Sequence, residues 1–239
     1  MHSGNLKIVS FSGIDGAGKS TQIDALLTWL RSTGYRVRLL TFWDDVVMFS
    51  RFREGFSQAV FKGDKGVGSP EKPVSRRDKN VRSWPVTAAR FLMYFLDGLS
   101  LWKTVRGSKA RDCDVLIFDR YIFDELANLP LERWVTRRFV QILRRFVPKP
   151  ELACFLDADP AAARQRKPEY PLEFIVRNRA AYLALARLLP GVTVIPPQSV
   201  EETQFGIRRS FLENVQGTAK TSRVPRAECP SGSVSRLST

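Results

Sequence analysis

Lys7-Ile8-Val9-Ser10-Phe11-Ser12 runs directly into Gly13-Ile14-Asp15-Gly16-Ala17-Gly18-Lys19-Ser20. The first six residues read as a short apolar strand. The next eight match GxxxxGK[ST], the pattern of a loop that wraps a phosphate chain. Glycines let the backbone turn tightly and aim successive N–H groups inward at oxygen anions. Beyond the loop, Ile23, Leu26, Leu27 and Leu30 repeat at helical spacing and Gly34 stops the run. A helix starting at the loop adds its positive N-terminal end. The spacing therefore predicts a triphosphate site, ATP by preference. Gly13, Asp15, Gly16, Ala17, Gly18, Lys19, Ser20 and Thr21 form its cradle, and Lys19 reaches the β- and γ-phosphates. Ser20 is the expected Mg²⁺ ligand.

Outward from the loop, strand and helix signals alternate. Arg36–Phe42 is a second strand, and Asp114–Asp119 (DVLIFD) is a near-continuous apolar run expected of a central parallel strand. Glu151–Asp157 and Gly191–Ile195 are two more. Helices are expected from Pro85 to about Val105, over Leu131–Val147, over Pro171–Leu189, and from a Ser199/Glu202 capping box to about Val215. In the second of these, Leu131, Trp134, Val135, Phe139, Ile142, Leu143 and Phe146 form the apolar stripe. Asp159 with Pro160 caps a short helix. The fold class is α/β, a parallel sheet with helices on both faces.

The domain is expected to span 1–215. It carries a basic, mobile insert at 62–85 and ends in a disordered basic tail at 216–239.

The chain has 239 residues, 44% of them hydrophobic, and a net charge of +14. That surplus attracts polyanions without selecting among nucleotides, nucleic acid and membrane. His2 is the only histidine, and Cys113, Cys154 and Cys229 form no CxxC pattern, which argues against zinc or Cys–His chemistry. With no apolar run of membrane length and no signal-peptide pattern, a cytoplasmic location is expected.

Asp119 closes the DVLIFD strand, where an acid can hold Mg²⁺ directly or through water. Arg120 follows, able to grip a phosphate with two arms or simply to pair with a neighbouring acid. Arg164, Arg166 and Lys167, if carried on a mobile loop, can close over the triphosphate, or else form a solvated helix face. Phe91, Tyr94 and Phe95 read as core aromatics, of which one can face a cleft and stack on a base.

GIDGAGKST, FDRY and LDADPAAARQR, in this order and spacing, resemble the thymidylate kinase family across roughly residues 6–215. The resemblance implies a three-layer P-loop NTPase fold, ATP and Mg²⁺, and a homodimer. It also implies phosphoryl transfer to a nucleoside monophosphate, dTMP by default, or to a related small acceptor. By the same resemblance Asp15, Tyr94, Arg120 and Tyr121 are acceptor-side residues. Lys19, Arg120, Arg164 and Arg166 are catalytic ones, and Ser20 and Asp119 hold the metal.

Four segments depart from the family pattern. Ser12 stands where a Glu is usual. Phe42-Trp43-Asp44-Asp45 replaces an Arg-Glu-Pro-Gly-Gly-like segment. Gly98 follows Asp97 where an acceptor-binding Arg is usual, and Asp124-Glu125 replaces a Ser-rich stretch. Two acids there suit the hydroxyls of a sugar or polyol better than a phosphate. Arg51, Arg53 or the basic insert can supply the missing positive charge. The alternative reading is a non-catalytic ATP-binding regulatory or nucleic-acid-associated module. The absence of a recognition helix or an interleaved aromatic–basic motif argues against a nucleic-acid partner.

Overall fold

The computed structural model describes residues 6–47, 84–109 and 113–221. Most of the expected insert (62–83), together with Arg51 and Arg53, and residues 222–239 of the expected tail lie outside these ranges.

Five strands form one sheet: β1 (Lys7–Ser12), β2 (Val37–Thr41), β3 (Val115–Asp119), β4 (Leu152–Leu156) and β5 (Val192–Ile195). Their order is β2-β3-β1-β4-β5, and every pairing is parallel. Parallel neighbours need crossover connections, and those crossovers cover both faces. The strand residues alternate accordingly. Val9, Phe11, Val115, Ile117, Leu152 and Cys154 pack on one face with Ile23, Leu26 and Leu30 of α1 (Lys19–Ser32) and with Ile207 and Phe211 of α8 (Val200–Thr221). Ile8, Leu116, Phe118, Ala153 and Phe155 pack on the other. There they meet α3 (Trp84–Lys109), α4 (Ile122–Leu126), α5 (Trp134–Phe146) and α7 (Leu172–Leu188). This is a three-layer α/β P-loop NTPase fold.

The central strands carry almost no polar alternation because both of their faces are buried. Each fully buried Phe or Leu removes enough apolar surface to contribute about 1.5–3 kcal/mol.

Several boundaries differ from the sequence reading. Strand β2 ends at Thr41, and Phe42–Val46 forms α2, a single π-type turn. Phe42 and Val46 are buried in it, and the Asp45 carboxylate accepts the Thr41 N–H at 2.7 Å. Trp84 rather than Pro85 opens α3, which leaves Pro85 in the first turn, where its missing N–H costs nothing. Helix α5 is shorter than expected, and it buries Thr136, Val140 and Leu143. Trp134 and Ile142, expected in its apolar stripe, are 74% and 63% exposed. The buried face is rotated away from them because α5 packs on α3 through Phe139 and Phe146, stacked on Phe91 and Phe95. Helix α8 runs to Thr221, past the expected end near Val215. Its capping box is present: Glu202 N–H donates to the Ser199 hydroxyl, and the Ser199 N–H to the Glu202 carboxylate.

Candidate active site

Strand order reverses beside β1. The chain leaves β1 through α1 toward β2 on one side and later crosses from β3 to β4 on the other. Ligands gather at such a point, outside the carboxyl ends of the strands. Two segments meet there: the loop after β1, and Asp119-Arg120 at the end of β3. Phe11 is in register with Asp119, and the Arg120 N–H donates to the Phe11 carbonyl at 2.9 Å.

The loop's shape depends on its glycines. Gly13 has φ 140°, and a Cβ there would stand 2.4 Å from the Leu156 carbonyl oxygen. Gly16 has φ 83°, and its Cβ would stand 2.3 Å from the Ala163 carbonyl oxygen. Both obstacles are backbone, which cannot move aside. Gly18 is the left-handed residue before α1, with open space around it. That is the geometry of a backbone cradle for anions.

Lys19 is buried at the start of α1. Its ammonium donates to the carbonyls of Gly13 (3.0 Å) and Ile14 (2.9 Å) and lies 4.0 Å from Asp15 Oδ1. Burial, with the Arg120 charge adding to it, lowers its pKa from 10.5 to about 8.

Arg120 sits in the left-handed region at φ 67°, an unusual state for a residue with a side chain. Such strain costs on the order of 1–3 kcal/mol and concentrates at functional sites. One guanidinium arm pairs with Asp15 and the other with Asp124 at 3.1 Å. Burial opposes its charge, but the Asp124 and Asp15 carboxylates together hold it well above its ordinary range. Asp119 acts electrostatically on both Lys19 and Arg120. Asp15, Lys19, Asp119, Arg120 and Asp124 thus make one charged cluster at the sheet's carboxyl edge.

Ser20 and Thr21 lie exposed in the first turn of α1. One hydroxyl (Ser20) and one carboxylate (Asp119) fit Mg²⁺, which takes few protein oxygens and completes its shell with water and phosphate.

Arg164 and Arg166 stand on α6 (Pro160–Arg166), a capped helix rather than a loop. The Asp159 carboxylate accepts the Ala162 N–H at 2.9 Å, as the Asp159-Pro160 pair predicts. Helix α6 abuts the phosphate loop through Ala163 against Gly16. Arg166 is exposed, and its Nε–H donates to the Ala162 carbonyl at 3.2 Å.

Two expected acceptor residues are buried. Tyr121 is fully buried among Phe42, Phe118 and Phe123, and its hydroxyl donates to the Pro148 carbonyl at 2.6 Å. Tyr94 is 4% exposed in the same core. Both fill the layer between sheet and helices and present almost no surface to a ligand. Helical spacing already favoured a core role for Tyr94. Tyr121 follows a polar pair, and only the sharp turn at Arg120 sends it inward.

Asp124 also differs from the expectation of an acid offered to acceptor hydroxyls. It is buried, and both oxygens are taken by groups of this chain. Ser12 and Tyr182 are neighbours that the sequence reading missed. Asp124 lies four residues after Arg120, so that pairing had a local signal. Tyr182, 58 residues from Asp124, had none. A groove of about 720 Å³ lies between residues 127–132, Arg137 and α7 and contains no residue of the phosphate loop.

The first 45 residues match the family described as methylmalonyl Co-A mutase-associated GTPase MeaB. That stretch holds the phosphate loop and its flanking elements, and little else. The relatives span more. A probable thymidylate kinase of Methanothermobacter thermautotrophicus is 29% identical over 206 residues, 84% of this chain and 92% of the relative. The thymidylate kinase of Prochlorococcus marinus is 23% identical over 222 residues, 87% of this chain and 96% of the relative. The chain is thymidylate kinase-like. The crystal structure of thymidylate kinase from Ehrlichia chaffeensis aligns over 87% of this chain and 99% of its own, with TM-score 0.53 and 17% identity. At that identity the alignment speaks for the fold alone. The thymidylate kinase-like matches thus cover most of this chain and nearly the whole of each relative, well beyond the first 45 residues. Among the described residues, no helix is long and apolar enough to cross a membrane.

Proposed function

We propose that this protein is an ATP- and Mg²⁺-dependent kinase that moves the γ-phosphoryl group to a nucleoside monophosphate, dTMP being the default, or to a related small acceptor. The observation that carries the reading is the convergence of Lys19, Asp15, Asp119 and Arg120 where β1 and β3 end side by side. Phosphoryl transfer passes through a loose transition state, so positioning and charge do most of the work. The loop amides and Lys19 hold the β- and γ-phosphates. Lys19 must first leave the Gly13 and Ile14 carbonyls, whose bonds a triphosphate replaces. Ser20 and Asp119 would hold Mg²⁺, which supplies charge neutralisation at the phosphates. Arg120, a fixed cation beside the loop, stabilises charge on the group in flight. Arg164 and Arg166 approach from α6.

The acceptor half carries this chain's own specificity. At Gly98 an added Cβ would lie 3.0 Å from Val147 Cγ1 and 3.4 Å from Leu143 Cδ1. That face of α3 is a helix–helix contact, so no acceptor-binding side chain can project from it. A second copy of the chain is the proposed partner, and the cytoplasm the proposed location.

The deciding experiment is ADP release in a coupled assay over a panel of nucleoside monophosphates, nucleosides and sugars. At least one acceptor should raise turnover well above the ATP-only rate, and Lys19→Ala should remove it. Turnover that stays at background for every acceptor, with ATP binding intact, would end the kinase reading.

A further inference from the structure

Asp124 is only 4% exposed, yet it is a carboxylate. Taking such a charge out of water costs several kcal/mol unless hydrogen bonds replace the lost solvent. Here they do. One oxygen accepts the Ser12 hydroxyl at 2.6 Å and the Tyr121 N–H at 3.0 Å. The other accepts the Tyr182 hydroxyl at 2.6 Å and the Arg120 guanidinium at 3.1 Å. Three of these donors are neutral, so the single negative charge is left to pair with Arg120. They come from three directions: the end of β1, the turn into α4, and the middle of α7. A carboxylate held from three sides cannot rotate. The other arm of Arg120 rests on Asp15, a partly exposed residue of the loop that a triphosphate would adjoin. One anchor of the guanidinium is therefore buried and held from several sides, and the other faces the ligand side.

From this geometry we infer that Asp124 is a positioning residue, which holds the Arg120 guanidinium over the phosphate loop when Asp15 is drawn away by ligand. It touches neither phosphate nor acceptor and acts through Arg120 alone. Tyr182 and Ser12 keep the carboxylate in place, and Tyr182 ties α7 to the same point. The inference rests on the phosphotransfer reading for its kinetic consequence, but not for the geometry of Arg120.

The test uses the full chain and the Asp124→Asn variant, which keeps the side chain's shape and removes its charge. Loss of a charge-assisted anchor should lower kcat by about 10- to 100-fold while KM for ATP changes less than about threefold. On an Arg120→Lys background the same substitution should add less than about threefold, because the group it serves is already gone. Independently of turnover, side-chain NMR of ¹⁵N-labelled arginine should show one guanidinium, assigned by its loss in Arg120→Lys, with restricted rotation in the wild type. That signal should be averaged or broadened in Asp124→Asn. Equal losses of kcat on both backgrounds would overturn the inference, as would an unchanged Arg120 signal. Should the wild type phosphorylate no acceptor, the kinase reading fails, and the arginine spectra alone decide the role of Asp124.

Discussion

Lys19 is an ammonium folded back onto its own loop. Its pKa lies near 8 in the folded chain, against 10.5 for an ordinary lysine. Between those two values the unfolded chain binds more protons than the folded one, so this residue makes the ligand-free protein gain stability as pH rises through that window. A triphosphate reverses the balance by supplying negative charge, and it pulls a proton back onto Lys19. Calorimetric titration of ATP at pH 8, in buffers of different ionisation enthalpy, should show net proton uptake, and ATP affinity should fall as pH rises above 8. Titrations without proton uptake would contradict a depressed Lys19 pKa. At the same scale, Gly16→Ala sets a Cβ against the Ala163 backbone in a left-handed conformation. Both faults push the loop away from α6. The expected result is a lower melting temperature and the loss of the thermal shift that ATP gives the wild type. A variant that ATP still stabilises to the wild-type extent would show that the cradle tolerates the displacement.

Among the elements, α3 carries a departure from the pattern that the family resemblance implies. Gly98 stands where that pattern expects an acceptor-binding arginine, and it lies flush against α5. Gly98→Arg would drive a long side chain between Val147, Leu143 and Phe146. Overpacking of this kind costs about 1–3 kcal/mol. The substitution should therefore reduce the urea midpoint and leave dTMP turnover unimproved. A gain in dTMP turnover without loss of stability would mean that position 98 can face the acceptor after all. Helix α6 makes the opposite point. Its Asp159 cap and Pro160 were readable as local signals, and they formed as expected. The arginines it carries are thereby held on a helix against the loop. Helix α5 shows why a wide apolar stripe misleads. Its stripe is wider than the face that can be buried, and the stacking of Phe139 and Phe146 on α3 selects the part that is.

Across the whole molecule, the sheet brings together segments about a hundred residues apart: the loop at 13–20 and the strand end at 119–120. Outside the core, α3 presents Leu92 and Leu99, seven residues apart and 63% and 44% exposed, beside Phe95 and Trp102, which lean on Phe146 of α5. A repeating apolar stripe on a 26-residue helix suits a second copy of the same chain. Light scattering should give twice the chain mass for the wild type, and Leu92→Glu with Leu99→Glu should halve it without unfolding the protein. A monomeric wild type would leave the stripe without that role.

Four kinds of information were local and legible in the residue order. Strand and helix periods, the glycine spacing of the loop, the caps at Asp159 and Ser199, and the acid–arginine pair closing β3 all depend on neighbours within a few residues. They determined the fold class and the phosphate-loop half of the candidate site. What only the tertiary structure decided are the contacts that close through space. It buried Tyr121 and Tyr94, turned Gly98 into a packing contact, and enclosed Asp124 between Ser12 and Tyr182. Burial of a side chain depends on which helix lands over it, and no spacing along the chain records that choice. The loop Gly13–Ser20 was therefore readable from the first line of the sequence, whereas the orientation of the arginine beside it depended on three elements meeting in the fold.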